Sequence, residues 1–459
     1  MAGSKPTLVR QLGVASALAL VISNMIGTGI FTTTGFLAGQ LGSPALVLGI
    51  WVAGAAIAML GALCYSELGV NLPGSGGEYV YLTRAFGPTW GFITGWISFF
   101  AGFSGPIAAA ALAFSGYAGH FFPALDPGSG RIVAGSGDWT LRIGWAQALA
   151  CALVMALTIL NVTGVARTAR VQNVLTSCKV AILVAFVVFG FAAGHGNAAN
   201  FHAIAVRNVP TSLPEQFALS LFWIYVAYSG WNAASYVAEE LRDPGRTLPL
   251  ALVLGTAIVA VLYLAINLVF IYAAPLEDLK DKFAVGSFAA SRLFGENVAG
   301  VFSALMALAL ISTVNAMVTI GPRVYFAMAR DGAFPAFAAR IHPRWNTPAA
   351  AIVAQGICAA VMTLTPFPQL VLYIGFLLNF CSVLSVAALV LFRRRPGWKR
   401  LPAVDFAWPA VPGLFIVAGI WVIVQGAQLK PVISGAAVVT VALGAVVHHR
   451  MAAGKDPTA

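Results

Sequence analysis

From Leu12 to Arg450 the chain is a succession of apolar stretches separated by short polar segments. A helix of roughly 20 apolar residues crosses a hydrocarbon core of about 30 Å. Windows of that kind fall at 12–40, 44–70, 87–118, 141–162, 170–193, 213–238, 248–273, 298–328, 348–365, 369–392, 408–427 and 431–450. They consist of Ala, Leu, Val, Ile and Gly, without the alternation of apolar and polar positions that a lipid-facing strand needs. Because hydrocarbon pairs with no backbone N–H or C=O, the pattern predicts an all-α membrane protein of twelve transmembrane helices. Composition agrees, with 59% hydrophobic residues, 9% charged residues and a mean hydropathy of +0.87. Soluble domains carry roughly 25% charged residues.

Two windows are interrupted. The first contains Ser23-Asn24-Met25-Ile26-Gly27-Thr28-Gly29-Ile30-Phe31, and the sixth contains Tyr228-Ser229-Gly230-Trp231-Asn232. Paired breaks in corresponding helices of two halves point to an inverted-repeat transporter with its site near the midplane. The expected division is a tail and first repeat in 1–193, a second repeat in 194–393, and two further helices with a tail in 394–459. Each break frees amides at the start of one half-helix and carbonyls at the end of the other. The amides favour an anion and the carbonyls a cation, so a zwitterion such as an α-amino acid suits both. Glycine permits the break and a close approach of ligand to backbone. Tight helix packing is the plainer reading of Gly27 and Gly29 taken alone.

The net charge of +11 follows topology and gives no reason to expect nucleic acid. With the N-terminus inside, 18 basic residues fall on the cytoplasmic side: Lys5, Arg10, Arg84, Arg167, Arg170, Arg242, Arg246, Arg323, Arg330, Arg340, Arg344, Arg393, Arg394, Arg395, Lys399, Arg400, Arg450 and Lys455. Seven fall outside: Arg131, Arg142, Arg207, Lys280, Lys282, Arg292 and Lys430. The positive-inside rule then puts both termini in the cytoplasm of a plasma (inner) membrane protein. The first apolar run is too long for a signal peptide and reads as an uncleaved helix. Cys64, Cys151, Cys178, Cys358 and Cys381 all fall within spans, so no disulfide-linked partner is expected. The spans contain no metal-spaced His or Asp cluster and the chain contains no P-loop. Neither an enzyme, a cofactor, a metal nor an ATP-driven pump is indicated, and oligomeric state has no sequence signal.

Beyond the Gly-Thr-Gly motif, the chain contains YSELGVNLPGSGGEYVYLTRAFG after the second span, GWNAASYVAEELRDPGRTLP across the end of the sixth and GPRVYFAMARDGAFP at the end of the eighth. In order and position these strings resemble the amino acid, polyamine and organocation permease superfamily, over essentially the whole chain. The branch most similar is that of L-type and related bacterial amino acid transporters and exchangers. The resemblance implies a leucine-transporter-like 5+5 inverted repeat and transport by alternating access. It also implies that the amides of Gly27, Thr28 and Gly29, beside Ile26, bind the substrate carboxylate. The carbonyls of Met25, Val226, Ala227 and Ser229 would receive the ammonium. Val226 stands where the family commonly has a gating aromatic, leaving Tyr225, Tyr228 or Trp231 to close the site, or a looser gate. The charged segment Pro275 to Glu296 resembles the family's short extracellular helices.

Lys179 lies inside the fifth window, where a lysine costs at least about 2.5–3.5 kcal/mol near a span's centre. It either snorkels toward Arg167 and Arg170 or acts inside the membrane. The resemblance favours an ammonium standing where sodium-coupled relatives hold a cation, which implies sodium independence. There it either exchanges a proton, making protons a second transported species, or stays charged and braces the first span against Ser312 and Thr313 of the eighth. No Asp or Glu occurs mid-span, so the pocket is expected to be neutral. Phe103, Ser104, Asn232, Ser312, Thr313 and Asn315 are candidates for its wall, with interhelical hydrogen bonding the equal alternative. Glu67, Glu78 and Arg84, with Glu239, Glu240, Arg242 and Arg323, are expected at a cytoplasmic gate. The substrate class is neutral L-amino acids. Another amine or a cationic amino acid, a channel, or a sensor that binds without transporting fits the same fold.

Overall fold

The computed structural model describes residues 12–74, 76–136, 139–163, 166–192, 194–345 and 347–453, without the side chains of 136, 166–176, 327 and 452–453. Lys5, Arg10 and Lys455, and the side chains of Arg167 and Arg170, lie outside the described residues.

Helices α1 (Val14–Met25) and α2 (Thr28–Leu41) meet at a non-helical joint, and α3 (Pro44–Asn71) follows a left-handed Gly42. A short α4 (Glu78–Phe86) leads to α5 (Pro88–Ile97), which passes through a π-helical turn, Ser98–Ser104, into α6 (Gly105–Ala118). A hairpin of β1 (Arg131–Ser136) and β2 (Trp139–Ile143) precedes α7 (Trp145–Val162) and α8 (Ala166–Ala192). Then come α9 (Leu213–Tyr228), a 3-10 segment (Ala233–Glu240), α10 (Pro244–Ala273), α11 (Leu276–Leu279), α12 (Val285–Phe294) and α13 (Glu296–Arg330). The chain ends with α14 (Ala349–Met362), α15 (Phe367–Phe392), α16 (Pro402–Asp405), α17 (Ala410–Leu429) and α18 (Pro431–Ala453).

The fold is mostly helical. Among the described residues nine helical stretches are long and apolar enough to cross a membrane, counting α1 and α2 as one and α5 through α6 as one. Three further windows hold shorter helices: Ser177–Ala192, α14, and the 16 residues of α9. The span expected from 141 begins at Trp145 instead. Residues 131–136 and 139–143 pair as an antiparallel ribbon with an irregularity between Ile132 and Ala134. Gln369 at the start of α15 accepts from the Thr140 amide at 3.0 Å, and the Leu364 carbonyl accepts from the Arg142 amide at 2.8 Å.

Glu67, expected with Arg84 among the groups at a cytoplasmic gate, has Arg393 as its ion-pair partner. Its carboxylate is fully buried at the end of α3 and takes Arg393 in a two-pronged pair, Nε to Oε1 at 2.6 Å and Nη2 to Oε2 at 2.5 Å. Trp398 Nε1 (2.9 Å) and the Leu401 amide (3.0 Å) also donate to the carboxylate. Arg393 also reaches Asp405 at 3.0 Å and lies 4.0 Å over the Trp408 ring. The planar guanidinium suits this fork, which a lysine could not form. The cluster fastens the segment between α15 and α17 to α3. Removing one partner of a buried pair leaves an uncompensated charge and costs about 3–5 kcal/mol. Glu67→Gln or Arg393→Met should therefore lower the melting temperature in detergent sharply, with the double variant Glu67→Met, Arg393→Met recovering part of the loss. Single variants that melt like the wild type would remove this role.

Candidate functional site

The first span breaks where Ile26 (φ −73°, ψ 87°) and Gly27 (φ −125°, ψ −151°) leave helical geometry. The carbonyls freed there are met from inside the protein. The Tyr263 hydroxyl donates to the Met25 carbonyl at 2.6 Å, and the Gly27 amide faces the same hydroxyl. Lys179 Nζ donates to the Ile26 carbonyl at 2.5 Å, with the Ser23 carbonyl at 3.4 Å and Thr313 Oγ1 at 3.5 Å. Lys179 is 1% exposed. It does not snorkel to the helix end; it joins the α1–α2 joint to α13. Ser312 is buried beside Thr313.

Helix α2 begins at Thr28 behind a glycine, which has no side-chain oxygen to cap its first amides. The sixth span ends its first half at Tyr228. Ser229 closes it, its amide (3.1 Å) and hydroxyl (2.7 Å) both donating to the Val226 carbonyl. Gly230 follows at φ +98°, a conformation that side chains resist.

The two breaks touch. A Cβ on Gly29 would lie 2.3 Å from Ala227 Cα, and one on Gly230 would lie 2.7 Å from the Asn24 carbonyl carbon. At Gly27, by contrast, the nearest atoms to such a Cβ are the Met25 oxygen and Thr313 Cγ2, both at 3.9 Å. A methyl group would therefore fit at Gly27 in ordinary contact, beside the uncapped start of α2.

The remaining candidates lie elsewhere. Phe103 belongs to the π-helical turn and packs edge-on against Tyr325 at 6.2 Å, while Ser104 is buried beside Cys358. Asn315 accepts from Asn161 of α7 at 2.9 Å, so it serves the interhelical alternative. Asn232 turns from the expected pocket wall to Glu78, at 3.0 Å. Tyr225, Tyr228 and Trp231, the alternative gate residues, each hold a contact to a neighbouring element. Tyr225 reaches the Leu378 carbonyl of α15 (3.4 Å), Tyr228 reaches the Trp51 carbonyl of α3 (3.2 Å), and Trp231 packs on Tyr65 and Phe415. With Asn379 and Gly419 they line an apolar pocket between α3, α9 and α17.

An aromatic cluster that composition did not reveal lies on the α2 side of the breaks. Phe36 stacks on Trp223 at 4.7 Å and approaches Phe283 and Phe367, which are 4.9 Å from each other. Thr34 hydrogen-bonds Asn267, and Tyr117 donates to the Phe31 carbonyl at 2.8 Å, pinning the same helix.

Apolar helices in this number, two of them broken and in mutual contact around a buried ammonium, define a multi-pass membrane protein of the permease class. The chain belongs to the amino acid permease family, whose family model matches residues 12–445. It is similar to Asc-type amino acid transporter 1 of Mus musculus, 30% identical over 96% of this chain and 81% of the relative. It is also similar to large neutral amino acids transporter small subunit 2 of Homo sapiens (30%; 91% of this chain, 77% of the relative) and to b(0,+)-type amino acid transporter 1 of Oryctolagus cuniculus (29%; 84% and 77%). The superfamily resemblance read from the motifs thus stands, and the family is one of transporters rather than enzymes.

The contacts separate the two motif glycines. Gly29→Ala should force α2 away from α9 and abolish substrate-induced thermal stabilisation, whereas Gly27→Ala should keep the fold and the melting temperature. Normal ligand stabilisation in Gly29→Ala would show that the close approach to Ala227 is dispensable.

Proposed function

We propose that the protein is a secondary transporter of neutral L-amino acids, independent of sodium, working by alternating access in the plasma membrane. On this reading twelve helices, with both termini cytoplasmic, include two inverted repeats of five, in 1–193 and 194–393, and 394–459 adds the last two helices and the tail. The substrate carboxylate meets the amides of Thr28 and Gly29 at the joint after Gly27, and its ammonium meets carbonyls of the sixth span at Ala227 and Ser229. The cluster of Phe36, Trp223, Phe283 and Phe367 forms the outer lid.

The observation that carries this reading is the contact between the two breaks, with an uncapped helix start on one side. Helix starts favour anions through their exposed donors and dipole. Lys179 supports sodium independence, because a fixed ammonium already sits on the carbonyls of the first break. The similar relatives, an asc-type and a large neutral amino acids transporter, support the substrate class.

Purified protein in liposomes loaded with unlabelled neutral amino acid should accumulate the labelled compound saturably, by counterflow. Binding detected by thermal shift without flux would turn the reading to a sensor, and unsaturable flux to a channel. Lys179→Ala should reduce counterflow about tenfold or more, the equivalent of roughly 1.4 kcal/mol. Near-normal exchange in that variant would take Lys179 out of the mechanism. Uptake driven by an inward proton gradient into liposomes free of amino acid would exclude obligatory exchange.

A further inference from the structure

The start of α4 carries a buried acid that the transport reading leaves unused. Glu78 is 5% exposed and accepts three hydrogen bonds: from Tyr65 of α3 (2.8 Å), Asn232 (3.0 Å) and Tyr236 (2.8 Å). The last two belong to the half of the sixth span beyond Gly230. The same region is stitched by the backbone, with the Gly76 amide on the Tyr236 carbonyl at 3.2 Å and Gly77 seated against Ser235 and Tyr236.

The other groups facing Glu78 are Tyr81 of its own helix, Tyr225 of α9, and Cys381 and Ser382 of α15. All are neutral, and among the described residues Glu78 forms no ion pair. Burial pushes its carboxyl above the ordinary range, with the hydrogen bonds from Tyr236, Tyr65 and Asn232 opposing that shift only in part. A buried carboxyl without a cation is relieved by taking up a proton.

We propose that Glu78 is a proton-binding site that holds the far half of the sixth span against α3 and α4 while occupied, and releases it when the proton leaves. The inference adds a coupled ion to the transport reading and rests on it for its kinetic test. Any motion that parts α4 from the sixth span admits water to Glu78 and returns it to ordinary acidity. The closed arrangement therefore binds the proton more tightly than the open one. Between the ordinary carboxyl value, about 4.3, and the raised one, lowering the pH favours closure. Raising it through that window favours opening toward the side on which α1 begins, where the proton is lost. A proton taken up on closure and shed on opening is how a substrate movement becomes linked to a proton movement.

The test uses the full chain in liposomes, with the pH on the α1 side stepped down from neutrality. Wild-type counterflow should fall by up to about tenfold per pH unit across the window. Glu78→Gln, which keeps the hydrogen-bonding shape without the charge, should give a flat profile. Tyr236→Phe removes a donor that favours the ionised form and should move the wild-type transition to higher pH. Infrared titration of the same samples should show a buried carboxylic-acid band that disappears as pH rises and is missing from Glu78→Gln. A pH slope that survives in Glu78→Gln, or an infrared band common to both proteins, overturns the proposal. If no protein exchanges amino acid at any pH, the transport reading fails, and the infrared titration still decides Glu78.

Discussion

A helix that breaks inside hydrocarbon exposes amides and carbonyls that lipid cannot pair, and the rest of this structure is arranged around meeting that requirement. It is met unequally. On the carbonyl side of the first break, Tyr263 takes Met25, and Lys179 takes Ile26 with Ser23 nearby. On the sixth span, Ser229 closes the Val226 carbonyl with its own amide and hydroxyl. The start of α2, by contrast, has a glycine where a capping side chain would stand. The protein has supplied most of the positive partners and left the donors of one helix start for something else. That asymmetry is a stronger pointer to an anionic ligand group than the two glycines alone.

The same joint carries the mechanical logic. Gly29 and Gly230 are places where a methyl group would collide with the opposite backbone, so the first and sixth spans meet through main chain. Gly35 repeats this against the Lys282 carbonyl, and the Asp281 amide donates back to the Gly35 carbonyl at 3.0 Å. Helix α2 is thus gripped at both levels by backbone contacts that tolerate little sliding. Lys179 and Thr313 instead reach the joint through long or rotatable side chains. Contacts of that kind can shorten, lengthen and re-form. If α1, α2 and the sixth span move as a body, the compliant link is the one between the joint and α8 and α13.

Most spans were legible because hydrocarbon imposes one constraint on every residue at once. The helices begin and end within a few residues of the apolar windows, and both breaks lie on their glycines. The hairpin of 131–136 and 139–143 was not legible, since its first strand falls between two apolar windows and the end of its second falls inside the window from 141. Glu67 read as a helix-end charge because its partner Arg393 is 326 positions away and no periodicity encodes that pairing. Tyr65, Tyr117 and Tyr263 counted as apolar bodies. Their hydroxyls, which satisfy Glu78, Phe31 and Met25, are visible only once the helices stand side by side. Glu78 was masked differently, by a Gly-Ser-Gly-Gly run that reads as a solvated loop.

Two ionisable groups therefore serve the two breaks, and they are not paired with each other. Lys179 faces carbonyls and a hydroxyl at the first, while Glu78 faces phenols and an amide just beyond the second. A direct ion pair between them would have stabilised both charges mutually and tied the spans into one rigid unit. Apart, each group depends on neutral partners, several of them contributed by the broken helix it touches. Its preferred state then changes with that helix's position, because neutral donors and acceptors lost on opening are replaced by water. Separation converts what would have been a structural clamp into two local sensors of helix geometry. The uncapped start of α2 lies at the first joint, in contact with the second.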